Sequence, residues 1–261
     1  MATEKTDVVI VGMGAAGAMA HVAAKVYAAF DDRYVNNFMG PNAQKWSFDD
    51  LNADNFDNGG VGFIRGTQIA VATANAEGGP IGGALGLNPP PGVPRWGAAY
   101  RDFFAKYYAR HVAIQSETEN LAYPDNVIDL DPDIRDAWGL PAPRITYDWR
   151  RPNELKQVAY MQAKMDEIGH AMGAARVWRA PLGNGAPGPH PQGGTRMGSD
   201  PKTSVVNKFG QSWDIPNLFV VGSSNNPSMR GFNPTLTIQA LAYMSADAIA
   251  NRYRKNPGPL A

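Results

Sequence analysis

The chain has 261 residues, with 24 basic side chains against 24 acidic ones and no cysteine. That length accommodates one large domain or two small ones, folding of which removes roughly three quarters of the unfolded surface from water. A formal charge of zero, with no run of Lys and Arg able to follow a phosphate backbone, excludes nucleic acid as an expected partner. The absence of cysteine excludes disulfides, thiolate metal sites, iron–sulfur clusters and cysteine nucleophiles, so any redox chemistry must use a borrowed cofactor. Gly12, Gly14, Gly17, His21 and Lys25 interrupt the apolar stretch from Val8 to Ala29, and Met1 to Asp7 is not a basic leader. Neither a signal peptide nor a membrane span is expected, which points to a cytoplasmic location.

In chain order, Asp7-Val8-Val9-Ile10-Val11 is a β-branched run ending at glycine, the pattern of a buried parallel strand that turns into a helix over Ala15 to Phe30. From Asp31 to Pro94, glycine, asparagine and proline dominate, and the reading is one long loop. The acidic run Asp49 to Asp57 has neither the glycine nor the glutamate that a calcium loop counted from Asp50 requires, so it reads as a solvated loop. Gly97 to Ser116 has the spacing of an amphipathic helix, with Tyr100, Phe103, Phe104, Tyr107, Tyr108 and His111 recurring at helical spacing as a stripe that reads as core. Asn126 to Leu130 and Arg144 to Trp149 read as two strands around a Pro-rich turn, and Asn153 to Met172 as a long helix. Near the C-terminus, Asn217 to Gly222 is another buried strand, and Asn233-Pro234 opens a last helix.

Two motifs carry chemistry. Gly12-x-Gly14-x-x-Gly17, after a strand and before the expected helix, fits a turn that lets a pyrophosphate approach backbone N–H groups, although a merely tight strand-to-helix turn has the same form. No second strand delivers the acid that would hold a ribose; Asp31 and Asp32 stand nearest to its place. Of the four histidines, His21, His111 and His170 read as structural, and no pair has metal-ligand spacing. His190 lies in a Gly/Pro-rich loop, where a side chain can be aimed at a ligand. Asn233 before Pro234 fits an N-cap and first-turn pair as well as it fits a site residue.

The segments His190-Pro191-Gln192-Gly193-Gly194-Thr195-Arg196-Met197-Gly198, Asn217 to Ser224 and Asn233-Pro234-Thr235-Leu236-Thr237-Ile238 together resemble the C-terminal signature of the glucose–methanol–choline (GMC) oxidoreductases. The asparagine in place of a second histidine is similar to the pyranose oxidase and gluconate or fructose dehydrogenase branch. The similarity runs from about Glu117 to Arg252, joined by the N-terminal glycine element, and the chain is much shorter than members of that family. Met19-Ala20-His21 resembles a Met-Asp-His found late in the region that is missing here.

The resemblance implies an α/β fold: a Rossmann-like FAD-binding core built from residues 1–30 and 186–261, with an inserted α+β substrate domain over 31–185 that includes the long loop 31–94. It implies FAD as cofactor and a sugar, glycoside or polyol as substrate, oxidised at a CH–OH group by hydride transfer to flavin N5. His190 is then the catalytic base and Asn233 its partner, while Gly12, Gly14, Gly17, Gly222, Ser223, Pro234 and Thr235 bind the cofactor. No metal, membrane or nucleic acid is implied; a homo-oligomer is compatible, and the electron acceptor is not named. Because the ribose acid and second strand are missing, a cofactor-free remnant or carbohydrate-binding module is the alternative.

Overall fold

The computed structural model describes residues 9–11, 16–35, 45–73, 87–182 and 190–260. Its elements, in chain order, are β1 (Val9–Val11), β2 (Ala16–Met19), β3 (Ala23–Ala29), β4 (Lys45–Phe48), β5 (Thr67–Thr73), α1 (Gly97–Tyr107), β6 (His111–Thr118), β7 (Val127–Arg135), β8 (Pro141–Thr146), α2 (Pro152–Ala171), β9 (Arg176–Arg179), β10 (Gln192–Gly194), β11 (Leu218–Val220), a 3₁₀ turn at Ser223–Asn225, and α3 (Thr235–Ala248) continuing into a π-helical turn at Ile249–Tyr253. The fold is α/β. It divides into two compact units, one of residues 1–21, 120–149 and 185–261, the other of residues 22–119 and 150–184. The segment 120–149, placed by the sequence in the inserted domain, therefore belongs with the chain ends.

The second unit is an antiparallel sheet in the order β4-β5-β6-β3-β9. β3 lies between β6 and β9, with Ala23 opposite Glu117 and Ala29 opposite His111. Both its faces are covered. On one side Ala28 meets α2, where Gly169 permits the approach: a Cβ there would stand 3.1 Å from Val177 Cγ2 and 3.4 Å from the Ala28 Cβ. On the other side Tyr27 and Ala29 join Phe103, Tyr107, Ala113 and Trp178 in an apolar cluster, the Tyr27 ring stacked on Trp178 at 5.3 Å. Val26, Ile114, Met161 and Met165 are fully excluded from water, each such side chain contributing about 1.5–3 kcal/mol.

Three expectations change here. The helix expected over Ala15 to Phe30 is replaced by β2 and β3. Gly17 takes φ of +76°, which a helix interior does not accommodate, and the Ala-rich run that follows has strand partners on both edges, which override helix propensity. The stretch 31–94 is not one loop, because β4 and β5 lie within it. Residues 36–44 and 74–86 of that stretch lie outside those described. The helix expected to reach Ser116 ends at Tyr107, and the chain from His111 is captured by β3 and β5. Phe103 and Tyr107 of the aromatic stripe are core, as expected.

The first unit holds two sheets. β1 and β11 pair in parallel, Val9 with Leu218 and Val11 with Val220, so strands from opposite ends of the sequence lie side by side. The other sheet runs β10-β2-β7-β8 and contains the expected hairpin. Its tip is closed by the Asp136 carboxylate, which accepts the N–H groups of Trp138 and Leu140 at 2.9 Å. Among the described residues no helix is long and apolar enough to cross a membrane.

Candidate active site

Within the first unit the segment after His190 is fastened to the turn after β11. Thr195 N donates to Ser224 O at 3.1 Å and Met197 N to Asn225 O at 2.8 Å, while the Asn225 amide reaches Val220 O at 2.6 Å. Gln192 is buried, and its Oε1 accepts from Asn226 Nδ2 at 2.5 Å. These bonds bring two of the three sequence motifs together. The third arrives through Asn233, whose Nδ2 lies 3.0 Å from His190 Nε2. Asn233 makes no cap bond; Pro234 is the N-cap of α3 and Asn233 spends its side chain on the imidazole.

His190 has φ of +66°, in the left-handed region that costs a residue with a Cβ about 1–2 kcal/mol. Such strain persists where surrounding structure holds it, and it turns the ring toward Asn233. The Asn233 Nδ2 donates, so His190 Nε2 is the acceptor of this bond. His21, read from the sequence as a structural histidine on a helix, instead lies between β2 and β3 with 1 % exposure. Its ring stands edge-on to His190 at 5.3 Å and an interplanar angle of 86°. The signal that could have found it was the Met19-Ala20-His21 likeness, since burial and spacing alone do not separate it from a core residue.

Of the residues expected to bind a cofactor, Gly222 and Ser223 open the 3₁₀ turn after β11, and Pro234 and Thr235 open α3. Gly222 has φ of +144° and open space where a Cβ would stand. Ser224 Oγ and Gln192 Nε2, both buried, have no hydrogen-bond partner among the described residues, an unmet demand for polar contact that a ligand can satisfy. These positions fit the reactive end of a flavin. The dinucleotide end is different. Gly12 and Gly14 lie outside the described residues, and Gly17 packs in a sheet, where a Cβ on Gly193 would collide with its carbonyl oxygen. No helix N-terminus follows at residues 16–29 to meet a pyrophosphate.

The two motifs joined by His190 and Asn233 fall in a segment, residues 122–242, that matches the family described as GMC oxidoreductase. It is 39 % identical over 246 residues to a gluconate 2-dehydrogenase flavoprotein of Pantoea cypripedii, covering 89 % of this chain and 38 % of that one. It is 35 % identical over 193 residues to a 2-methyl-1,2-propanediol dehydrogenase of Mycolicibacterium austroafricanum, covering 74 % and 34 %. Among solved structures, a formate oxidase of Aspergillus oryzae shares the fold at a TM-score of 0.50 and 11 % identity, over 92 % of this chain and 48 % of that one. The chain thus spans well under half the length of the relatives it matches.

Proposed function

We propose that this chain carries the proton-abstracting part of an FAD-dependent oxidoreductase acting on a CH–OH group of a sugar, glycoside or polyol. The observation that carries the reading is the contact between Asn233 Nδ2 and His190 Nε2 at 3.0 Å. An alcohol is both a donor and an acceptor. A hydroxyl entering between the two groups donates to Nε2 and accepts from Nδ2, so both partners stay satisfied while the proton is placed on its base. As the C–H bond breaks, the imidazole takes that proton; such assistance is typically worth about 10²–10⁴ in rate. Asn233 fixes the oxygen and so the direction of the C–H bond. FAD, when bound, supplies the acceptor for the hydride, and Gly222, Ser223, Pro234 and Thr235 are the residues of this chain that would meet it.

The names of the relatives, a gluconate dehydrogenase flavoprotein and a propanediol dehydrogenase, support a polyol or sugar acid as the substrate class. The test is reduction of the flavin absorbance band by gluconate, fructose or a propanediol in FAD-supplemented protein. His190→Ala is expected to keep the band and slow its bleaching by about 10²–10⁴. Bleaching at the wild-type rate in that variant rejects the role of His190. The absence of a helix at residues 16–29 favours one second reading, a carbohydrate-binding remnant without catalysis. Calorimetry separates the two: heat with a sugar and none with FAD supports the remnant.

A further inference from the structure

His21 is a polar ring at a position where packing alone has no use for one. It is 1 % exposed, and burying a group that must hydrogen-bond costs more than burying an apolar side chain of its size. Strand pairing dictates its place. β2 and β10 run antiparallel with Met19 opposite Gln192, and the same register, continued two residues past that pair, sets His21 opposite His190. The exit from β2 is held on course by Tyr147, whose hydroxyl donates to Ala20 O at 3.0 Å. Both rings belong to the unit that contains the chain ends. They meet with centroids 5.3 Å apart and planes at 86°, the T-shaped geometry that aromatic pairs favour.

What His190 lacks without this neighbour is a fixed plane. Asn233 Nδ2 holds one ring atom, Nε2, at 3.0 Å. One hydrogen bond at one atom leaves the ring free to tilt about it, because the outer torsion of a histidine is broad and roughly two-fold. Tilt matters to a base: the lone pair that accepts a proton lies in the ring plane, and it must point at the incoming hydroxyl. The backbone at His190, with φ of +66°, sets where the side chain starts. Asn233 sets where Nε2 ends, and the edge-on contact with His21 sets the plane between them.

We propose that His21 is a positioning residue for His190, fixing the plane of the imidazole so that Nε2 faces the substrate hydroxyl beside Asn233. The catalytic part of this rests on the reading of His190 as the base. In this role His21 touches neither substrate nor cofactor and acts through the neighbouring ring alone. Its loss slows proton removal more than it weakens substrate binding, since a misplacement of about an ångström can cost about a hundredfold.

The test compares His21→Phe, which keeps a flat ring in the buried space, with His21→Leu, which fills the space without one, the fold of each being checked by far-ultraviolet dichroism. Two readouts need no flavin. In the parent chain a nuclear Overhauser contact is expected between the ring protons of His21 and His190, and one Asn233 side-chain N–H, bonded to Nε2, is expected to resonate away from a free amide. That amide signal should persist in His21→Phe and revert to the free position in His21→Leu. In FAD-supplemented protein, bleaching of the flavin at saturating substrate should slow by about ten- to a hundredfold in His21→Leu, with the half-saturating concentration little changed and most of the rate restored in His21→Phe. No contact between the two rings in the parent chain overturns the proposal without any variant. An Asn233 signal that is the same in the parent and His21→Leu, or a Phe variant as slow as the Leu variant, overturns it as well. Parent protein that never bleaches the flavin rejects His190 as the base; the amide signal then decides the positioning by itself, upholding it if lost in His21→Leu and overturning it if kept.

Discussion

His190 combines a chemical role with a backbone that disfavours it. Its φ of +66° is accessible to glycine at little cost, whereas a Cβ raises the energy by about 1–2 kcal/mol. His190→Gly is therefore expected to be more stable than His190→Ala by roughly 1 kcal/mol, although neither retains a base. Urea denaturation of the two variants checks this; equal midpoints would mean that the left-handed backbone stores no strain. His111 makes a different point. It is buried, and burial pushes its imidazole below the ordinary value of 6.5, against the opposing pull of the Tyr107 and Tyr108 carbonyls. Its Nδ1 donates to Tyr107 O at 2.9 Å, which is compatible with the neutral ring. Below pH 6.5 the unfolded chain takes a proton that the folded chain declines, so stability falls as pH drops from there toward the folded value and is unaffected by this group above it. The slope from one such group is at most about 1.4 kcal/mol per pH unit. Denaturant midpoints between pH 7.5 and 5 should fall less steeply in His111→Gln than in the parent chain; parallel slopes would exclude His111 as the source.

At the scale of elements, the strand β3 shows how packing and sequence pattern interact. A strand with one wet face alternates and can be read; in β3, Val26 to Ala29 are all buried, so both faces are covered there and no alternation marks the strand. Small residues there have a packing function, because Ala28 is what Gly169 of α2 approaches. Gly169→Val would place branched carbons against Val177 and force the helix away from the sheet, a misfit of the kind that costs about 1–3 kcal/mol. A thermal midpoint within a degree of the parent would show that this contact is slack. The same physics sets what was legible. β7, α2, β11 and α3 lie where periodicity or β-branched runs place them, whereas β8 begins at Pro141 within the turn expected over 139–143 and ends at Thr146 instead of Trp149. β3 and β6 were hidden because their helical spacing is satisfied by two sheet neighbours instead of a helix axis. β5 was hidden by the glycines and asparagines around it, although Thr67 to Thr73 carries its own β-branched alternation. In the site, His190 and Asn233 were legible because their motif is specific, and they do lie together at 3.0 Å. His21 was not, because its approach to His190 depends on where β2 ends and β3 begins, a long-range outcome of strand pairing.

On the scale of the whole molecule, the two compact units differ in how completely each satisfies itself. The unit of residues 22–119 and 150–184 has five strands, helices on the sheet and a core in which Val26 and Ile114 have no exposure. The unit containing the chain ends has a two-stranded parallel sheet and a helix with Leu236 and Tyr243 in water. Local opening free energy follows buried apolar contact and ladder completeness. Amide exchange should therefore be slowest in β3 and β6, close to the rate of global unfolding, and clearly faster along α3, where opening exposes little additional apolar surface. Deuterium uptake followed by mass spectrometry resolves these segments. Equal protection of α3 and β6 in the lone chain would mean that the exposed stripe is already held by something other than its own unit, and the argument from incomplete satisfaction would fail.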